Sequence, residues 1–153
     1  MSEFKVERST VVVADPPRIH GLINDFRQWQ GWSPWEGLDP DLDRTYSGPE
    51  SGEGSHYAWS GNKRAGSGTM VITASEPDRI GVALRFLKPW KATNAVTFTL
   101  RPVAAGTEVT WAMQGEQKGL MGLVGRVIPM DKLVGKDFEK GLANLKARAE
   151  EPA

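Results

Sequence analysis

The chain has 153 residues and balances 19 lysines and arginines against 19 aspartates and glutamates, so it lacks the basic excess that would hold a phosphate backbone and the strong field that would steer an acidic substrate. Cysteine is absent, which excludes disulfides and thiolate chemistry and fits a reducing compartment. Six tryptophans, at 29, 32, 35, 59, 90 and 111, are the compositional feature left to explain.

A chain of this length is expected to form a single domain, residues 1–153, burying roughly 70% of the surface its unfolded form exposes. Residues 1–6 are charged and lack the apolar segment of a signal peptide, and no apolar run approaches the ~18 residues of a membrane span. A soluble, cytoplasmic protein with no integral membrane segment is the expectation.

Residues 4–13 are rich in β-branched side chains (Val6, Thr10, Val11, Val12, Val13) and stop at Asp15-Pro16-Pro17, which reads as a strand ending in a helix start. Ile19, Leu22 and Ile23 then fall at helical spacing. Asp25 and Phe26 open a second short helix that passes through Trp29 and Gln30 and ends at Gly31. Two short helices in succession make a wedge. Trp32-Ser33-Pro34-Trp35 places two indoles around a proline, and both need something to be buried against. Glu36, Asp39, Asp41 and Asp43 follow without the glycine and terminal glutamate of a calcium loop, so they read as a solvated acidic loop.

From Arg44 onward, turn residues punctuate short runs at regular intervals, as in an antiparallel meander. The runs are residues 44–47, 55–60, 68–75, 80–87 and 93–101, and a last strand carries Val109, Trp111 and Met113. Each presents one apolar face: Met70 with Ile72; Ile80, Val82, Leu84 with Phe86; and Val96, Phe98 with Leu100. The loop at residues 60–66 has no Gly-Lys-Ser/Thr and leads into a strand, which disfavours a phosphate loop.

Residues 119–149 close the chain as a helix, with Val127, Met130, Val134, Phe138, Leu142 and Leu145 three or four apart on one stripe. Gly119, Gly122 and Gly125, followed by Pro129, weaken its first half. That half is either a close-approach surface or a gate hinged at Pro129. The sheet needs a cover for its apolar face, and this helix is the element long enough to supply it.

Chemistry is sparse. His20 and His56 have no metal-ligand or general-base spacing to another group, so no metal site is expected; His20 reads as a helix-surface residue and His56 as solvent-exposed, opposite Tyr57 and Trp59. Ser33, Ser47 and Ser55 lack the Gly-x-Ser-x-Gly setting of a hydrolase nucleophile.

The order of strand, two short helices, long meander and final helix resembles the helix-grip fold of the START-like superfamily, which includes the birch-pollen allergen. More narrowly, the chain is similar to bacterial SRPBCC proteins of the polyketide cyclase/dehydrase and lipid transport type. The resemblance rests on Ile23-Asn24-Asp25-Phe26 with Trp29, Trp32-Ser33-Pro34-Trp35, Tyr57-Ala58-Trp59-Ser60-Gly61-Asn62, residues 107–113 (TEVTWAM) and residues 137–142 (DFEKGL). It implies an α+β fold in which a curved antiparallel sheet of about seven strands wraps around a long C-terminal helix, enclosing an apolar cavity for a lipid, polyketide or aromatic molecule. That superfamily has no universal catalytic set, so no catalytic residue is carried over and no cofactor is expected.

Strand alternation and helix phase supply the candidate lining: Trp32, Trp35, Tyr57, Trp59, Met70, Phe86, Phe98, Trp111, Met113, Val127, Met130 and Val134. A filled core made of these same residues is the bland alternative. Functionally, a cavity that binds a small hydrophobic molecule stands first. A polyketide aromatase/cyclase with Asp131 as a proton-moving group, and a protein-interaction module, stand beside it.

Overall fold

The β-branched start of the chain forms β1 (Ser2–Val12), with Val6 and Val12 buried and Val11 and Val13 exposed on the opposite face. In this computed structural model, which describes residues 2–34, 40–62, 66–88, 91–117 and 130–151, α1 (Pro16–Ile23) follows, entered through prolines at its first positions, where a backbone N–H would be unpaired anyway. The second short helix is a 3-10 segment, Phe26–Gly31, started by Asp25, whose carboxylate accepts a hydrogen bond from the backbone N–H of Arg27. The meander is β2 (Asp43–Ser47), β3 (His56–Ser60), β4 (Ser67–Glu76), β5 (Arg79–Lys88), β6 (Ala92–Val103) and β7 (Gly106–Gln117), and α2 (Met130–Ala149) closes the fold.

All seven strands join one antiparallel sheet in the order β1-β7-β6-β5-β4-β3-β2. The first strand therefore pairs with the last, and α1 with the 3-10 segment links the two opposite edges. Register shifts in β4, between Ser67 and Gly68 and between Ile72 and Ala74, are the irregularities that bend a sheet. The concave side carries Val6, Ile72, Ile80, Val82, Leu84, Val96, Phe98, Leu100, Val109, Trp111 and Met113, all buried. Phe138, Leu142, Leu145 and Ala149 of α2 meet them, spaced by three or four residues as one helix stripe requires.

α2 does not cover the sheet alone. Its contacts fall on β1 and β7, on α1 and on the 3-10 segment. The reason is geometric: a helix about 10–12 Å across spans roughly two strands spaced about 4.8 Å apart, and the remaining strands need other cover. The wedge of α1 and the 3-10 segment supplies it, through Ile19, Ile23, Phe26, Trp29 and Trp32, all buried. Across β1, the Arg8 guanidinium pairs with Glu139 of α2 at 2.9 Å. The weakly helical stretch with Gly119, Gly122, Gly125 and Pro129 lies outside the described residues.

Candidate functional site

The backbone at the end of α1 explains two of the tryptophans. Its last carbonyls have no intrahelical donor, and two indoles provide one: Trp32 Nε1 donates to Leu22 O at 2.9 Å and Trp29 Nε1 to Ile23 O at 2.8 Å. With their polar ends tied to the helix, both rings can bury their faces. They lie 4.7 Å apart, and each presents an edge to Phe98 (5.7 and 6.0 Å) and to Trp111 (6.4 and 5.6 Å). Phe98 and Trp111, neighbours across β6 and β7, are 5.0 Å apart. Trp111 then stacks on Phe138 of α2 at 4.1 Å with their planes within 7°. An aromatic column thus runs from the wedge, through the sheet face, to the helix.

A second group lies on β3, β4 and β5. Tyr57 stacks beside Trp59 at 6.1 Å and also meets Phe26 at 5.9 Å, and Trp59 presents its ring at 89° to Phe86 at 5.8 Å. Gly68 makes this arrangement possible, because a Cβ there would stand 2.5 Å from Trp59 Cη2. Tyr57 is buried, whereas Trp59, Met70 and Phe86 are half-buried against the core. The 3-10 segment docks on β2 nearby, with Gln30 Nε2 donating to Tyr46 OH at 2.8 Å and the Arg27 guanidinium 4.6 Å above the Tyr46 ring.

The candidate lining therefore falls into two sets. Trp32, Phe98 and Trp111 belong to the column, and Tyr57, Trp59, Met70 and Phe86 to the group on β3 to β5, with Met113 buried on β7 opposite Val96. Val134 is half-buried against the core. Trp35 and Val127 lie outside the described residues, and Met130 and Asp131 begin α2 with side chains outside the description.

Sequence reasoning left two inward-facing residues out of the candidate lining. Trp29 is the hub of the column, and its placement three residues before Trp32 was the available signal. Asn94 continues the inward series Val96, Phe98 and Leu100 toward the start of β6, and it is 4% exposed. Alternation alone would have pointed it inward.

The two histidines are more enclosed than expected. His56 is half-buried on β3 and its pairing with Ser47 and Val71 places it between strands; His20 is half-buried with Nε2 enclosed and without a hydrogen-bond partner among the described residues. No three histidine, aspartate or glutamate side chains among the described residues converge as metal ligands would. No helix among them is long and apolar enough to cross a membrane.

The family described as polyketide cyclase/dehydrase and lipid transport matches residues 3–150. No curated protein is significantly similar in sequence. Among solved structures, protein CV1439 from Chromobacterium violaceum is 16% identical, with 97% of this chain and 99% of that one covered and a TM-score of 0.68. Ara h 8.0201 is 11% identical over 97% of this chain and 98% of its own, with a TM-score of 0.66. DynU16, described as a putative protein in the dynemicin biosynthetic locus, is 16% identical; the match covers 95% of this chain but 47% of that one, with a TM-score of 0.65. At these identities the likeness shows the fold, a seven-stranded helix-grip sheet closed by a C-terminal helix.

Proposed function

The chain belongs to the polyketide cyclase/dehydrase and lipid transport family, and from that premise we propose that it binds a small apolar ligand, of lipid, polyketide or aromatic type, between the concave face of its sheet and α2. The supporting observation is the gradient of enclosure along that face. The column of Trp29, Trp32, Phe98, Trp111 and Phe138 is closely packed, while Trp59, Met70 and Phe86 on the same side of the sheet remain half-buried. Large apolar side chains left partly uncovered on an inward face are suited to receive an apolar molecule, and aromatic and thioether groups adapt to varied shapes.

The ligand is held by apolar contact and the protein works without a metal or tightly bound cofactor, in the cytoplasm. Trp59, Met70 and Phe86 carry most of the contact. The column sets the floor of the site.

Titrating intrinsic tryptophan fluorescence with fatty acids and with aromatic polyketide mimics tests this. Saturable changes are expected, weakened at least tenfold by Trp59→Ala, a loss of about 1.4 kcal/mol. Flat titrations of the folded protein across both sets of probes would reject ligand binding.

A further inference from the structure

Asn94 is a buried amide whose acceptor is unmet among the described residues. The buried polar side chains among the described residues are Ser55, Asn94 and Thr107. Thr107 is accounted for, since its hydroxyl donates to Ala14 O at 2.8 Å. Asn94 Oδ1 is enclosed and has no hydrogen-bond partner among the described residues. A carbonyl taken out of water and left unpaired is costly, and buried polar groups are otherwise nearly always satisfied.

Its surroundings fit a place for a guest. Asn94 stands in register with Leu84 on β5 and with Gly115 on β7, so one flank is apolar and the other carries no side chain. Leu84 leads on to Met70 on β4, and Phe86 follows two positions along β5, both half-buried. An acceptor thus sits beside the apolar groups to which ligand contact is assigned.

Resting on the binding function proposed above, we infer that Asn94 Oδ1 accepts a hydrogen bond from the ligand, which is therefore an apolar molecule bearing a hydroxyl or N–H donor. A site built to pair one polar group discriminates strongly against an analogue that lacks it, because the protein's own group is then left unsatisfied. Apolar contact holds the skeleton and the amide selects the substituent.

Two probes of the same skeleton test this by calorimetric titration. 2-Naphthol carries a donor, and 2-methoxynaphthalene carries an acceptor only. The methyl ether buries more apolar surface, so hydrophobicity alone favours it. The native protein is expected to bind 2-naphthol about tenfold more tightly, and Asn94→Leu, which keeps the branched side-chain skeleton without a polar atom, is expected to abolish that preference while still binding both probes. A second readout needs no variant: the Asn94 side-chain amide resonances are expected to shift on adding 2-naphthol and to stay in place on adding the ether. Equal affinities in the native protein, or a preference that survives in Asn94→Leu, would overturn the inference and leave the apolar site standing. Failure of both probes, and of the fatty acids, to bind would remove the site and the inference with it.

Discussion

Gly141 shows how a residue that looks unfavourable in a helix is required by what it faces. A glycine inside a helix costs about 1 kcal/mol against alanine, yet a Cβ at this position would lie 2.7 Å from Trp111 Cζ3 and 2.9 Å from Pro34 Cδ. Trp111 is held by the packed column, so it cannot yield cheaply. Gly141→Ala is therefore expected to destabilise the protein by about 1–2 kcal/mol, against the gain predicted by propensity. Phe138→Ala, which removes the ring stacked on Trp111, is expected to cost about 3–5 kcal/mol. Urea denaturation of both variants checks these values. Alternation was enough to point Phe98, Trp111 and Met113 inward, because a strand repeats every two residues. It could not show that Trp111 meets Phe138 or that Gly141 lies over the same ring, since those contacts depend on how α2 sits on the sheet.

The elements are locked together at the C-terminal end of α2. Its final carbonyls lack helical donors, and Arg18 of α1 provides them, with Nε donating to Ala149 O at 2.5 Å and Nη2 to Arg148 O at 3.3 Å. Glu150, just past the helix, accepts from the backbone N–H of Val13 at 2.8 Å and pairs with Lys146. The Lys146 hydrogen bond, followed by that from Val13, holds the Glu150 carboxyl below its ordinary value. A depressed carboxylate contributes stability above the usual carboxylate range and loses it as pH falls through the lowered value. Glu150→Gln is expected to melt at a lower temperature than the native protein at neutral pH, with the gap closing in acid. Melting curves at neutral and strongly acid pH measure this. Periodicity located the two short helices of the wedge and α2, but it did not distinguish the 3-10 segment at Phe26–Gly31 from an α-helix, because six residues are too few for the two periods to diverge.

At the scale of the whole molecule, the sequence order of elements was sufficient to recognise the helix-grip arrangement, because turn residues at regular spacing leave an antiparallel meander as the simplest path. The shared cover was not legible in that order. Which helix lies over which strand follows from the sheet's width and from the Trp29 and Trp32 bonds to α1, and neither is a periodic signal. Of the candidate lining, the inward positions on the strands were legible, while the half-exposed state of Trp59 and Phe86 and the Asn94 Oδ1 without a partner among the described residues were not.

The pairing of β1 with β7 also governs how the molecule comes into being. Val12 meets Thr107 and Ser2 meets Gln117, so the first strand has no partner until nearly the entire chain has been made. Contacts of such long sequence separation slow folding, and refolding from denaturant is expected in milliseconds to seconds, with β1 and β7 amides gaining protection together in pulse-labelling hydrogen exchange. Protection of β1 well before β7 would contradict this. On the ribosome the order is harsher: β1, Trp29 and Trp32 emerge long before the strands that will cover them, so the nascent protein displays a strand edge and two indoles, the surfaces that chaperones bind and that drive aggregation.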